Sequence, residues 1–311
     1  MHPKYRALHA GLLAALRQYN RDVRSLPGIH AQGADDALAL QFVDSVRKVD
    51  RLTRIGRTLP SPERRLPSSP FFDPERAAVL MARSGDLEEA CWLSFLSVHF
   101  GWHGRDKWTL TARVYGALGS EPFWTWERTS KNSSEFKTWV ADAIRSRNSP
   151  LGHFGNHRSR ETLRADLPNG TPAVVESYVK WIESSGGHEP LLRTTTAMAK
   201  GDAERAFDLL YRSMSQVQRF GRLARFDYLT LLGKLGLAQI APGSTYISEA
   251  SGPLRGARLL FGGNVFAPMT KKLAEEHADG LARHLKIGMQ PMEDALCNWQ
   301  KTPTRFRAFR G

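Results

Sequence analysis

Apolar residues recur at three- and four-residue spacing along most of the chain, which is the period of an α-helix buried on one face. Two early examples are residues 9–16 (HAGLLAAL) and 37–49 (ALALQFVDSVRKV). The alternation of apolar and polar residues that is typical of a strand is scarce, so the pattern predicts an all-α fold of about a dozen helices. The other expected helices cover residues 74–81, 87–100, 108–118, 134–147, 172–183, 202–213 and 220–235.

A proline-rich stretch interrupts this helical pattern. Four prolines fall between Pro60 and Pro70, and a helix interior does not accommodate that density. Asp73 precedes Pro74, a pair typical of a helix N-cap and first helical position. The predicted organisation is a helical N-terminal segment (1–58), a proline-rich joint (59–74) and a helical body (75–311), with a helical hairpin near residues 237–262.

The chain has 311 residues and a formal net charge of +13, since 44 lysines and arginines oppose 31 acidic residues. Such an excess attracts polyanions, of which nucleic acid is the most common, although basic enzymes with no nucleic-acid role also exist. No stretch is apolar enough for a membrane span or a signal peptide. Cys91 and Cys297 are too few for a disulfide scaffold. We therefore expect a monomeric cytoplasmic protein without a membrane partner.

The segment SGPLRGARLLF, residues 251–261, is the first candidate for chemistry. Gly252 and Gly256 at a bend would let the backbone approach a ligand, and the free amides of the following helix can bind an anion. Arg255 and Arg258 at the start of that helix would contact a DNA phosphate. The same residues also fit an ordinary helix start, and this alternative stays open.

The segment QPMEDALCNWQK, residues 290–301, is the second candidate. A helix beginning at Pro291 would place Glu293, Cys297 and Lys301 on one stripe, with Asp294 beside it. A carboxylate, a thiol and an amine in one row could act as general base, nucleophile and phosphate ligand. The alternative is an amphipathic helix with a buried cysteine and an ordinary charged face.

The segment GHFGNHR, residues 152–158, has the composition of a functional loop, and we expect Phe154, Asn156 and His157 to contact the substrate. His99 and His103 are four residues apart, as are His153 and His157. That spacing can serve zinc on a helix, but glycines interrupt the second pair and no adjacent glutamate completes a metalloprotease motif. We expect no metal and, without a Walker or Rossmann motif, no cofactor.

The segment FGRLARFDY, residues 220–228, is the fourth candidate. Arg222 and Arg225 lie one helical turn apart and could meet DNA phosphates. Asp227 and Tyr228 follow on the same helix and could handle a base or a proton. An internal arginine–aspartate pair that only orders the helices explains the same residues equally well.

Taken together, these segments resemble the alpha-glutamyl/putrescinyl thymine pyrophosphorylase family, most closely its third clade. The matching stretches occur in the family's order from residue 71 onward; they cover residues 71–101, 153–163, 173–182, 206–214, 220–237, 252–263 and 292–301. The resemblance implies the two-lobed all-α fold of helix-hairpin-helix DNA glycosylases, here with an extra N-terminal helical segment. It also places the family's Glu, Cys and Lys stripe on Glu293, Cys297 and Lys301, and its Gly-Pro hairpin on Gly252, Pro253 and Gly256.

Named members of the family displace pyrophosphate from a diphosphorylated hydroxymethyl group on thymine in phage DNA, using glutamate or putrescine. Related glycosylases usually carry a catalytic aspartate about 20 residues beyond the hairpin. The nearest acidic residue here is Asp279, in a polar helix, which is not a convincing counterpart.

Three functions remain open, and all of them take a modified base out of double-stranded DNA. Our preferred hypothesis is a glycosylase that excises bulky modified bases of phage DNA as an antiviral defence. The alternative is a transferase that replaces pyrophosphate on the base with an amine or amino acid, and the third is a non-catalytic reader. For catalysis we expect a pocket with Glu293 or Asp227 as the charged group, assisted by Asp294 and Tyr228. Lys301 would hold a phosphate or a sugar hydroxyl, and Cys297 would pack beside the substrate.

Overall fold

The computed structural model describes residues 3–146 and 151–308. Over these residues the chain forms fourteen α-helices and no β-strand, which confirms the predicted all-α class. The helices are α1 (Pro3–Asp22), α2 (Ala34–Arg57), α3 (Pro74–Arg83), α4 (Leu87–Phe100), α5 (Thr109–Tyr115), α6 (Trp126–Lys131), α7 (Ser133–Arg145), α8 (Thr171–Glu183), α9 (His188–Met198), α10 (Ala203–Ser213), α11 (Arg222–Leu235), α12 (Gly252–Gly262), α13 (Lys271–Leu285) and α14 (Met289–Trp299).

Local sequence signals set the starts of two central helices. The Asp73 carboxylate accepts a hydrogen bond from the Arg76 N–H, and Pro74 occupies the first position of α3, as predicted. The Asp86 carboxylate does the same for Glu89 at the start of α4. The predicted helix over residues 134–147 corresponds to α7, although Arg147 itself lies outside the described residues.

The helices divide into two compact units. Unit 1 combines residues 1–51 with residues 242–310, and unit 2 is residues 52–241. This division differs from the predicted boundaries at residues 59–74, which stay a prediction. The change of unit near residue 241 also places α11 in unit 2 and α12 in unit 1, so the two helices of the predicted hairpin belong to different units.

Each unit has its own apolar core. In unit 1, apolar side chains from the N-terminal helices pack with those of the C-terminal helices, among them Leu16, Phe42, Leu260, Leu281 and Trp299. In unit 2, α4 is buried on nearly all sides because small and aromatic residues surround its axis. None of the helices in residues 3–146 and 151–308 has the length and apolar character that a membrane crossing requires.

Candidate functional site

A buried arginine holds an acidic side chain at the surface of unit 2. Arg158 is only 8% exposed, and its Nη2 atom donates to the Asp227 carboxylate over 3.3 Å. Its Nε atom donates to the Val98 carbonyl over 2.8 Å, which fixes the guanidinium plane. The Asp227 side chain is 36% exposed, so one face of its carboxylate reaches solvent. The pair therefore presents a positioned carboxylate, and Arg158 is a residue that the sequence reasoning did not single out.

The loop that carries Arg158 lies against the end of α4. The Gly155 N–H donates to the Phe100 carbonyl over 2.8 Å, and a Cβ at Gly155 would lie 2.8 Å from backbone atoms of the facing segment. Phe154 is half-buried, with its ring 5.7 Å from that of Phe100. Asn156 and His157 are exposed on the following 3-10 turn. This position fits substrate contact by Asn156 and His157, while Phe154 anchors the loop.

Tyr228, predicted as a catalytic residue, lies in the core of unit 2. Its hydroxyl is 2.8 Å from that of Tyr178, which is 2.7 Å from Nε2 of His188. Nδ1 of His188 is 2.5 Å from the Glu88 carboxylate. Of these four hydrogen-bonded side chains, only Glu88 is substantially exposed. The hydroxyl of Tyr228 is therefore inaccessible to a substrate.

The surroundings of Glu88 and His188 determine the ionisation of these two side chains. Burial alone would raise the pKa of Glu88, but the hydrogen bond from His188 and the backbone N–H of Glu189 lower it to about 2. Burial lowers the pKa of His188 against the attraction of Glu88. A neutral His188 therefore donates from Nδ1 to the carboxylate and accepts from the Tyr178 hydroxyl at Nε2.

In unit 1, the predicted stripe on α14 is interrupted. The helix ends at Trp299, so Lys301 lies in the turn that follows it rather than on the stripe. Glu293 is only 6% exposed, Cys297 is half-buried and Lys301 is exposed. The expectation that these three residues lie on one stripe of a single helix is therefore wrong, because the helix stops before the third position.

Asp294 instead organises a polar network between α2 and α14. Its Oδ2 atom accepts from the Ser45 hydroxyl over 2.6 Å and from the Lys48 ammonium over 3.0 Å. Its Oδ1 atom accepts from Asn298, whose own side-chain oxygen accepts from Lys301 over 3.0 Å. Burial opposes the charge on Lys48, but Asp294 raises the pKa of that ammonium. Asp294 thus positions Lys48 directly and Lys301 through Asn298.

The glycines of the predicted hairpin lie where α12 meets α14. A Cβ at Gly252 would lie 2.9 Å from Sγ of Cys297, and one at Gly256 would lie 2.2 Å from the carbonyl oxygen of Leu296. Gly256 is inside α12, so its N–H is not among the free amides at the helix start. Close helix packing accounts for both glycines, and only the first turn of α12 offers amides to an anion.

The two arginines of α12 differ in availability. Arg258 donates from Nε and Nη2 to the Met269 carbonyl over 3.2 and 3.0 Å, so its guanidinium is already engaged. Arg255 is exposed, with its guanidinium carbon 5.6 Å from the ring centre of Phe266. The Phe266 side chain is 76% exposed, in the loop after α12. Arg255 and Phe266 together form an exposed pair, and the sequence analysis named only the arginine.

The arginines of α11 also have internal contacts. The Arg225 Nη1 atom donates to the Tyr211 carbonyl over 3.1 Å, and its guanidinium lies 4.3 Å from the ring centre of Tyr211. The guanidinium of Arg222 lies 5.9 Å from the Phe226 ring centre. Both side chains are half-buried, so the geometry favours a structural role over the predicted phosphate contact.

The histidines come together in pairs other than those predicted by spacing. His99 is buried in the aromatic core, and His157 is exposed on its turn. His103 and His153 lie beside each other with Asp106 between them, and one possible ligand atom from each of these three residues lies within 4.8 Å of the other two. These residues could hold a metal ion.

The described residues thus form an all-helical protein with a strongly basic sequence. Unit 2 carries the positioned carboxylate of Asp227, and unit 1 carries the polar network of Asp294 and its lysines. The chain belongs to the alpha-glutamyl/putrescinyl thymine pyrophosphorylase family. The family model that matches it is that of clade 3, and the match covers residues 33–311. Neither the curated proteins nor the solved structures contain a significant match.

Proposed function

We propose that the protein is a transferase that acts on modified thymine in DNA and replaces pyrophosphate with an amine. The family match over residues 33–311 carries this proposal, because the family is named for a pyrophosphorylase reaction. The amine nitrogen bonds to the methylene carbon on the base, and the bond from that carbon to oxygen breaks. The electron pair of this bond leaves with pyrophosphate, and the amine gives up one proton.

The proton acceptor in this proposal is Asp227. Its carboxylate is partly open to solvent, and Arg158 fixes its orientation. Glu293, the other candidate, is almost fully buried on α14 and is less accessible to an incoming amine. Asp294 has both oxygens engaged by side chains of unit 1, which supports a positioning role.

On unit 1, we assign the ammonium groups of Lys48 and Lys301 to backbone phosphates of the DNA rather than to the reacting group. Asp294 and Asn298 hold these groups through the hydrogen bonds described above. Cys297 is assigned to packing, because it lies against Gly252 at the contact between α12 and α14.

DNA contact is assigned to the exposed pair of Arg255 and Phe266. A guanidinium can bind a backbone phosphate, and an exposed aromatic ring can stack on a base. The loop also places the exposed Lys271 and Lys272 at the start of α13. This combination of cations and one aromatic ring suits DNA from which a base is taken out of the stack.

Base excision, the preferred hypothesis from the sequence, has less support than substitution. The acidic residue nearest to the glycosylase position is Asp279. Its Oδ1 atom accepts from both the backbone N–H and the hydroxyl of Thr245, over 2.8 and 2.7 Å. A carboxylate oxygen engaged in this way is occupied with holding the segment before α12. Excision and an antiviral role stay predictions.

The deciding experiment uses duplex oligonucleotides that contain a diphosphorylated 5-hydroxymethylpyrimidine, incubated with the protein and either glutamate or putrescine. Released pyrophosphate together with a nucleoside whose mass has gained the amine supports the proposal. Free base with abasic sites would establish excision instead, and binding without any product would establish a reader.

Two variants locate the reaction. Asp227→Asn should lower turnover by at least about 100-fold, since general-base assistance contributes about that much. Asp142→Asn is the matched control, because Asp142 is an exposed carboxylate of the same unit that pairs with Arg145 on its own helix. Equal turnover of the two folded variants would remove Asp227 from the reaction without affecting the assignment of the product.

A further inference from the structure

His103 and Asp106, three residues apart, meet the distant His153 beside the start of α5. Nδ1 of His153 is 2.5 Å from Oδ2 of Asp106, and Nδ1 of His103 is 3.5 Å from the same oxygen. The two imidazole rings are 5.3 Å apart between their centres. His103 and Asp106 are half-buried in a tight turn, whereas the His153 side chain is 68% exposed. The group is therefore fixed on one side and open to solvent on the other.

The hydrogen bonds show which atoms offer lone pairs. Nδ1 of His103 accepts from the Asp106 backbone N–H over 3.2 Å, so this nitrogen carries no proton. The Asp106 carboxylate faces one Nδ1 atom of each of the two imidazoles.

The neighbouring Lys107 side chain is directed away from this group. The Lys107 ammonium lies 4.6 Å from the centre of the Trp102 ring and donates to the Gly104 carbonyl over 3.0 Å. Backbone hydrogen bonds in both directions between His103 and Lys107 close the turn that carries these residues. The turn thus holds His103 and Asp106 at a fixed spacing, independent of His153.

We propose that His103, Asp106 and His153 form a site for a divalent transition-metal ion. Two imidazoles and one carboxylate are a common ligand set for Zn²⁺ and Fe²⁺, and they leave coordination positions open for a further ligand. One ligand atom from each of the three residues lies within 4.8 Å of the other two, so small side-chain rotations bring them around one ion. Metal binding would replace the hydrogen bond between His153 and Asp106 and the contact of His103 with the backbone N–H.

The site has a natural ligand in phosphate oxygens. His153 begins the loop that continues through Asn156 and His157, which we expect to contact the substrate. A metal ion with open positions can neutralise charge on a diphosphate. This use of the ion rests on the proposed function, whereas binding of the metal itself does not.

The first test is titration of the metal-free protein with Zn²⁺ by calorimetry, and with Co²⁺ by visible absorption. We expect one equivalent to bind, and expect His153→Ala and Asp106→Asn each to weaken it by more than about ten-fold. His157→Ala is the matched control, an exposed histidine of the same loop outside the triad, and should bind as the wild type does. Circular dichroism checks that each variant is folded.

Absence of binding at micromolar metal, or equal binding by the wild type and both triad variants, would overturn the proposal and leave an ion pair between His153 and Asp106. A second measurement tests whether the bound ion holds phosphate, independently of catalytic turnover. Pyrophosphate is titrated into metal-loaded and metal-free protein after removal of unbound metal. Tighter binding to the loaded protein is expected, and equal binding would refute a role of the ion in holding phosphate. Neither result depends on turnover, so failure of the proposed function stays distinguishable.

Discussion

At the scale of single residues, His99 is a neutral histidine inside the aromatic core of unit 2. Its Nε2 atom is 3.0 Å from the Thr171 hydroxyl, and its ring stacks with those of Phe95 and Phe220. Burial lowers the pKa of His99 to about 3, and the positive charge of Arg158 acts in the same direction. The folded protein therefore keeps this imidazole uncharged where the unfolded chain takes up a proton.

The sign of the resulting pH dependence follows directly. Because the folded-state pKa lies below the ordinary value of 6.5, the contribution of His99 to stability is complete above pH 6.5 and is lost as the pH falls towards 3. We predict that His99→Gln makes the free energy of unfolding less dependent on pH, by about 1.4 kcal/mol per pH unit between pH 6 and 4. Urea unfolding of both proteins at several pH values measures this difference, and parallel curves would contradict it.

Residue-scale features differ in how far the sequence predicts them. Asp73 was predicted as a helix cap. Asp73 and Asp86 each accept from an N–H three residues ahead, so the information for these caps is local. The ion pair between Arg158 and Asp227 joins residues 69 positions apart. Nothing in the sequence indicates that Arg158 is buried, since arginine is usually exposed and the loop around it is polar.

At the scale of helices, the contact between α12 and α14 depends on the absence of a side chain at Gly256. A Cβ there would lie 2.2 Å from the Leu296 carbonyl oxygen, which is backbone and cannot rotate away. We predict that Gly256→Ala lowers the free energy of unfolding by about 1–3 kcal/mol, because the helices must move apart. Equilibrium unfolding in urea provides the measurement.

Gly11 on α1 provides the control for this prediction. It is exposed in a helix interior, and a Cβ there would meet no atom within 4 Å. Gly11→Ala should therefore raise stability by about 0.5–1 kcal/mol through helix propensity alone. If Gly256→Ala stabilises the protein as much as Gly11→Ala does, α12 and α14 do not approach each other closely at Gly256.

The end of α14 explains why the predicted stripe of Glu293, Cys297 and Lys301 was wrong. The spacing of Glu293, Cys297 and Lys301 is helical, but spacing alone does not fix where a helix stops. Thr302 and Lys301 instead donate to the carbonyls of Trp299 and Asn298, which turns the chain out of the helix. The network of Asp294 with Ser45 and Lys48 was also beyond the sequence, because it links residues about 250 positions apart.

At the scale of the whole molecule, the net charge of +13 favours binding to DNA, and the structure separates exposed arginines from engaged ones. We predict that Arg255→Ala weakens binding to duplex DNA of any sequence. It should also reduce the slope of log affinity against log salt by about 1, since one phosphate contact is lost. Fluorescence anisotropy at several salt concentrations measures both effects.

Arg258→Ala serves as the comparison. Its guanidinium donates to the Met269 carbonyl, so its removal should change the salt slope much less than removal of Arg255 does. Equal slopes for the two variants, or an unchanged slope for Arg255→Ala, would place the phosphate contact elsewhere.

Unit 1 is built from two segments that flank unit 2 in the sequence, and this arrangement has a consequence for biosynthesis. Unit 2 is one continuous stretch, so a ribosome has delivered all of it before residues 242–310 emerge. Helix α1 and most of α2 are made before unit 2, yet the apolar partners of Leu16 and Phe42 include Leu260, Leu281 and Trp299, which are made after it. Until then these apolar faces remain uncovered, and nascent chains with exposed hydrophobic surface are those that chaperones bind. We therefore expect translation stalled before α12 to leave a folded unit 2 and an aggregation-prone N-terminus.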